Sequence, residues 1–163
     1  MKISFDRGGV KSAQRTINKI AERSKNLTPV WPKVGSYMAA SNRRQFSSHG
    51  AYYGTPWAPL KPEYAAWKIS HSSSRKLLVL SGGLRASLVS RPMNIEHYSA
   101  QTAEFGTDHW LSKFHHPGTH RNGQQANPPR PLMKKTPKMT NDVGKIVRQY
   151  VLSGKVGSMM GMI

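Results

Sequence analysis

The chain has 163 residues, a mass of 18.2 kDa and a formal charge of +18, from 25 Lys and Arg against 7 Asp and Glu. It has no cysteine, which excludes disulfide scaffolds, Cys-ligated zinc, Fe–S clusters and thiol nucleophiles. The length supports one domain with arms. No apolar run approaches the roughly 18 residues that span a bilayer, and Met1–Asp6 lacks the apolar stretch of a signal peptide. The expectation is a soluble chain made in the cytoplasm, with no membrane partner.

In chain order, residues 2–6 alternate, with Ile3 and Phe5 on one side, and read as a short strand. From Val10 onward, Val10, Ala13, Ile17, Ile20, Ala21, Ser24 and Leu27 form one helical stripe, with Lys11, Arg15, Lys19, Arg23 and Lys25 mostly outside it. Pro29 and Pro32 break that helix, and Pro32 can open a second running to about Phe46 with Val34, Tyr37, Met38 and Ser41 on one face. Residues 49–60 are turn-rich and aromatic and should form a loop whose rings dock on the core. Pro62 can open a short helix carrying Tyr64, Ala65, Trp67 and Lys68, followed by a polar loop over 70–76.

The segment around 77–90 reads as sheet, although Leu84–Leu88 fits a strand or a helical turn. Residues 95–105 alternate weakly and read as further strands, and Gly106 can take a positive φ at their end. Residues 115–131, rich in His, Pro, Gly, Asn and Gln, read as an extended loop. A last helix over 140–153 has capping oxygens from Thr140, Asn141 and Asp142 and a stripe of Val143, Ile146, Val147, Tyr150 and Val151. Gly154 is suited to end it. This gives one α+β domain over 1–154: a small, mostly antiparallel sheet with the N-terminal helices and the C-terminal helix packed on it. Residues 155–163 form an arm.

The positive charge favours polyanions or acidic proteins as neighbours. It is spread along the chain, and its tightest clusters are pairs: Arg43–Arg44, Arg75–Lys76 and Lys134–Lys135. A diffuse pattern suits a surface that borders DNA better than one that reads sequence. Among the carboxylates only Glu104 and Asp108 lie close, at a turn edge where acids are usually solvated. His109, His115, His116 and His120 fall within twelve residues, but their spacing fits no metalloprotease or finger motif. No nucleophile elbow, P-loop or dinucleotide fingerprint is present. Neither a metal nor a cofactor is expected, and the chain is not expected to be an enzyme.

Four blocks carry a family pattern. Phe46, Gly50, Gly54, Trp57, Pro59 and Leu60 open it; Leu77-Leu78, then Gly82, Gly83, Leu84 and Leu88 follow; Glu104-Phe105-Gly106-Thr107 leads to His109-Trp110 and His115-His116-Pro117-Gly118; Pro128-Pro129-Arg130-Pro131-Leu132-Met133 closes it. In this order, over residues 46–133, the chain resembles the tail-completion (virion morphogenesis) proteins of tailed bacteriophages. It departs at His109-Trp110, where the family has Tyr-Ala, and at Leu132-Met133, where it has Phe-Leu. Trp57, Leu60, Gly82, Gly83, Leu84, Gly106, Thr107 and Arg130 are read as fold determinants first. The resemblance implies a structural protein of the virion tail and neck, assembled in the host cytoplasm as a ring, expected to be a hexamer, that completes the tail and joins it to the head.

At +18 each, six copies would carry +108, so anions must stand close. Genomic DNA, held non-specifically, and acidic terminator, stopper or tail-tube proteins are the expected partners. Arg43, Arg44, Arg75, Lys76, Lys134 and Lys135 are the candidate DNA-facing cations. His115, His116, His120, Arg121, Met159, Met160 and Met162 are the candidate subunit contacts. Two other classes remain open: a free basic nucleic-acid-binding module, and a metal-dependent hydrolase built on the histidine segment.

Overall fold

A buried row of polar side chains on one helix organises this molecule. The computed structural model describes residues 7–72 and 74–157. Helix α1 spans Arg7–Lys25 and α2 spans Trp31–Ser47, joined by a 3-10 turn at Thr28–Val30. Pro32 sits in the first turn of α2, where its missing N–H costs nothing. Val34, Tyr37, Met38 and Ser41 are all buried, as the predicted face requires.

Asn42 and Gln45 continue that face with hydrogen bonds in place of hydrocarbon. Asn42 donates to the Leu88 carbonyl (3.0 Å) and accepts from the Tyr53 hydroxyl (2.9 Å). Gln45 accepts from the Tyr53 N–H (3.0 Å) and donates to the Pro131 carbonyl (2.9 Å). These four bonds tie three distant segments to α2 and satisfy groups that would be costly to bury alone.

Residues 49–61 lack regular structure beyond a 3-10 turn at Ala51–Tyr53, yet they are anchored. Trp57 is buried, meets Phe46 edge-to-face at 5.3 Å, and donates its indole N–H to Pro131 O at 3.0 Å. Gly50 makes this closure feasible. Its φ is +94°, and a Cβ there would stand 2.5 Å from both Thr55 O and Trp57 Cδ1. The predicted docking of these aromatics is therefore observed.

Helix α3 (Pro62–His71) starts at the predicted proline. The predicted strand around 77–90 is corrected: the chain makes a turn at 77–78 and then α4, Gly83–Val89. Leu84 and Leu88 are four apart as well as alternating, and burial against α2 selects the helical option. Sheet forms at Ile95–Tyr98 (β1) and Ala103–Gly106 (β2), an antiparallel pair with Ile95 opposite Gly106. Gly106 is in regular strand geometry and not at positive φ, which corrects the expectation for it.

The segment read as an extended loop is also corrected. It holds the end of α5 (Ser112–His115) and an antiparallel hairpin of β3 (Thr119–Arg121) and β4 (Gln124–Asn127). Asn122 and Gly123, both at positive φ, form its two-residue turn. Among the described residues the strands make two separate two-stranded sheets, not one. The predicted strand 2–6 lies outside the described residues.

Helix α6 (Pro137–Ser153) begins earlier than predicted. Thr136 is its cap, accepting from the Met139 N–H at 3.1 Å, and Gly154 closes it in the left-handed region. Asp142 is thus no cap: it is buried inside the helix and accepts from the Tyr37 hydroxyl (3.0 Å) and Lys138 Nζ (2.6 Å). The fold is α+β, with the larger core between α2, α6 and the β1–β2 hairpin, and a smaller one around Phe46, Trp57, Leu84, Leu88 and Leu132.

Candidate partner-binding cleft

Beside the smaller core lies an open cleft of about 450 Å³. One wall is the Pro59–Lys61 turn and the inner face of α3; another is the 78–82 turn, where Gly82 at φ +90° leads into α4. The third is His109–Leu111 and the base of the second hairpin. Most of the lining is hydrocarbon, from Leu60, Leu78, Val79, Leu80, Leu84 and Leu111. The rim is aromatic and exposed. Trp110 is 62% accessible, Tyr64 stacks on Trp67 at 5.4 Å, and Trp67 stacks on His71 at 4.7 Å.

Two of the cations lining the cleft are nearly sequestered from solvent: Lys68 of α3 is 3% and Arg130, after the second hairpin, 5% accessible. Lys68 Nζ donates to the Lys76 carbonyl at 2.5 Å. Arg130 donates to the carbonyls of Ala58 and Pro59, each bond 3.1 Å. Burial lowers the pKa of both side chains. Their partners are neutral carbonyls; among the described residues neither takes part in an ion pair, and no carboxylate lines the cleft. His115 joins them with its Nδ1 buried and without a hydrogen-bond partner. Burial, then the nearby Arg130 charge, pushes its pKa down, which favours the neutral ring.

The residues singled out in the sequence divide over this structure. Leu60, Gly82, Leu84 and Arg130, all from the family pattern, converge on the cleft, and Gly83 sits at its edge with His109 Nε2 3.1 Å from where a Cβ would be. Trp57 belongs to the core behind it. Thr107 is a joint: its hydroxyl bonds Ser87 Oγ (2.7 Å) and Asn94 Oδ1 (3.2 Å) and accepts from the His109 N–H (3.0 Å).

The basic pairs do not gather on one element. Arg43 donates to Val89 O at 3.4 Å, Arg44 lies over the Tyr52 ring, and Lys134 reaches Thr55 Oγ1 at 3.5 Å. Lys135, Arg75 and Lys76 are exposed, the latter two in the loop before α4. The histidines serve the backbone: Nδ1 of His109 accepts from the Leu111 N–H (3.3 Å) and Nδ1 of His116 from the Leu132 N–H (3.2 Å). His120 and Arg121 are exposed on the second hairpin. Among the described residues no three His, Asp or Glu side chains are grouped to hold a metal. Glu104 and Asp108 are both exposed. Met159, Met160 and Met162 lie outside the described residues. Lys68 and His115 escaped notice as cleft residues because only tertiary packing brings them to Arg130.

The model of the phage virion morphogenesis family matches residues 9–152. The chain belongs to that family. The match covers the four sequence blocks and extends over most of α1 and most of α6, so it reaches well beyond the central motifs. The family is one of structural and assembly proteins, which makes this chain a bacteriophage virion morphogenesis protein with a role in building the particle. No curated protein and no solved structure matches it. Among the described residues no helix is long and apolar enough to cross a membrane.

Proposed function

We propose that this chain completes the phage tail at the neck, forming a closed ring of identical subunits, six in the simplest case, around the DNA path between tail and head. Membership of the morphogenesis family carries the reading. Two physical observations support it. The charge of +18 favours anionic surroundings, which DNA on the ring axis and acidic tail-tube, stopper or terminator proteins would supply.

The second observation is α1. Every residue from Gly8 to Lys19 is exposed, and its apolar stripe includes Val10 at 65% and Ile17 at 59% accessibility. A lone helix of this length is marginal in water, and most helical stability comes from packing an apolar face. A neighbouring subunit meeting that stripe with a different patch makes the heterologous contact a ring needs. Arg43, Arg44, Arg75, Lys76, Lys134 and Lys135 are assigned to the DNA or lumen side, and His116, His120 and Arg121 with Met159, Met160 and Met162 to subunit contacts, while His115, read with them from the sequence, is assigned to the cleft.

A cryo-EM map of the neck of purified particles tests this directly. The expected result is multiple copies of this chain encircling the axis at the head–tail junction. Absence from mature particles overturns it. A monomer that binds free DNA tightly and with a steep salt dependence would instead favour a nucleic-acid-binding module.

A further inference from the structure

We infer that the cleft between α3, α4 and the second hairpin is a receptor for a segment of another protein that presents a large apolar side chain next to an Asp or Glu. This rests on the reading of the chain as an assembly component and adds the site and the chemistry of the partner. A cation removed from water without a counter-charge is costly, and carbonyl dipoles offset only part of that cost. Lys68 and Arg130 are two such cations lining one cleft, and the exposed Lys61 is a third lining cation. A carboxylate entering the cleft gains charge-assisted hydrogen bonds and relieves that imbalance. His115 Nδ1 offers one more polar contact now unmade.

The remaining lining accepts hydrocarbon. Leu80, 49% accessible, and Trp110 project large apolar surface around a cavity within the size range of ligand sites. Aromatic anchors with Arg are also the composition of energetic centres at protein interfaces. Charge decides against residues 155–163 and α1 of a second copy as the occupant. Residues 155–163 carry a lysine and no acid, and α1 carries six Lys and Arg against one Glu. Nucleic acid fits poorly as well, because most of the lining is hydrocarbon and Lys61 is the one exposed Lys or Arg among the lining residues, too few for a track along a phosphate backbone.

The test titrates the full chain with the peptide Ac-DELFDL-NH2, following tryptophan fluorescence and heat. Controls are an acidic peptide without apolar residues (Ac-DESGDS-NH2), a basic apolar one (Ac-KKLFKL-NH2), a peptide of residues 155–163, and a short single-stranded DNA. The acidic apolar peptide is expected to bind, with each control at least about tenfold weaker. Leu80→Ser and Lys61→Glu are each expected to weaken it by about tenfold or more. Both residues are surface-exposed, so circular dichroism should show an intact fold; Trp110→Ala is a further variant. The proposal is overturned if the polar acidic peptide binds equally well, if the basic peptide, the 155–163 peptide or DNA binds more tightly, or if the variants leave affinity unchanged. Incorporation of the chain into particles is scored separately: loss of peptide binding with normal incorporation removes the receptor and leaves the assembly role standing.

Discussion

Helices α1 and α2 are close in length, 19 and 17 residues, and both carry an apolar stripe written at the same period. Their fates are opposite. Ten residues of α2 are buried, including Trp31, Tyr37 and Phe46, whereas α1 holds its stripe in solvent for most of its length. The contrast lies in what fills the stripe. In α2 it contains aromatics and methionine, and it extends into Asn42 and Gln45, whose amides find backbone partners in other segments. In α1 it is built from Ala13, Ala21 and Ser24 between a few β-branched residues, and the polar reach to α6 comes from Arg23, outside the stripe and near the helix end. Amphipathic spacing says that a face exists; the size and chemistry of its residues say whether the same chain covers it.

The largest effect that would break this contrast is expected at the α2 side. Trp57→Ala should cost about 3–5 kcal/mol in urea unfolding, since it leaves a cavity against Phe46 and removes one of the two hydrogen bonds to Pro131 O. A loss below about 1 kcal/mol would mean that the 49–61 loop is not anchored as described.

Next is Asp142→Asn, at about 1–3 kcal/mol, because the Tyr37 hydroxyl and Lys138 Nζ then donate to a neutral amide oxygen in place of a carboxylate. The hydrogen bond from Lys138, joined by that from Tyr37, holds the Asp142 carboxyl below the usual carboxylate range despite its burial. The unfolded chain therefore takes up this proton at higher pH than the folded one. The contribution is complete above a pH of about 4 and is lost as pH falls through the folded value. The Asp142→Asn variant should accordingly show a flatter acid limb in its stability–pH curve. Burial, with the Asp142 bond, also pushes the Tyr37 phenol up to about 12, so its bond persists across ordinary working pH.

Thr136→Ala removes the side-chain cap of α6 and should cost about 1 kcal/mol by thermal or urea unfolding. Smallest is Ile17→Ser on α1. It should change the stability of the monomer by no more than about 0.5 kcal/mol, while reducing the assembled fraction in sedimentation. A large loss in the monomer would show that α1 packs on its own subunit and would erase the contrast with α2.

The sequence announces the parts whose signals are long or chemically distinct. Pro32 and Pro62 mark helix starts, Trp57 marks a docked loop, and the stripe through Ile146 marks the last helix. Reading fails where a window is short. Leu84–Leu88 satisfies both periods, and only contact with α2 decides between them. The second hairpin is masked by polar composition, although Asn122-Gly123 is a strong two-residue turn signal. Thr136 is overlooked as a cap because Thr140, Asn141 and Asp142 offer three later candidates.

The cleft is legible only by halves. Leu60, Gly82, Leu84 and Arg130 stand out as a pattern, but their common destination does not, because Lys68, His115 and Arg130 come from segments up to 62 residues apart. That convergence is produced by the Gln45 and Trp57 bonds to Pro131, which draw the residue after Arg130 against α2.

Arg23 has a mechanical consequence. Its guanidinium donates to the carbonyls of Val151 (3.3 Å) and Leu152 (3.0 Å), at the place where Gly154 turns the chain off α6. The root of one lever and the exit of the terminal segment are thus riveted together. Moving α1 against α6 therefore requires breaking both bonds or carrying the end of α6 along with it.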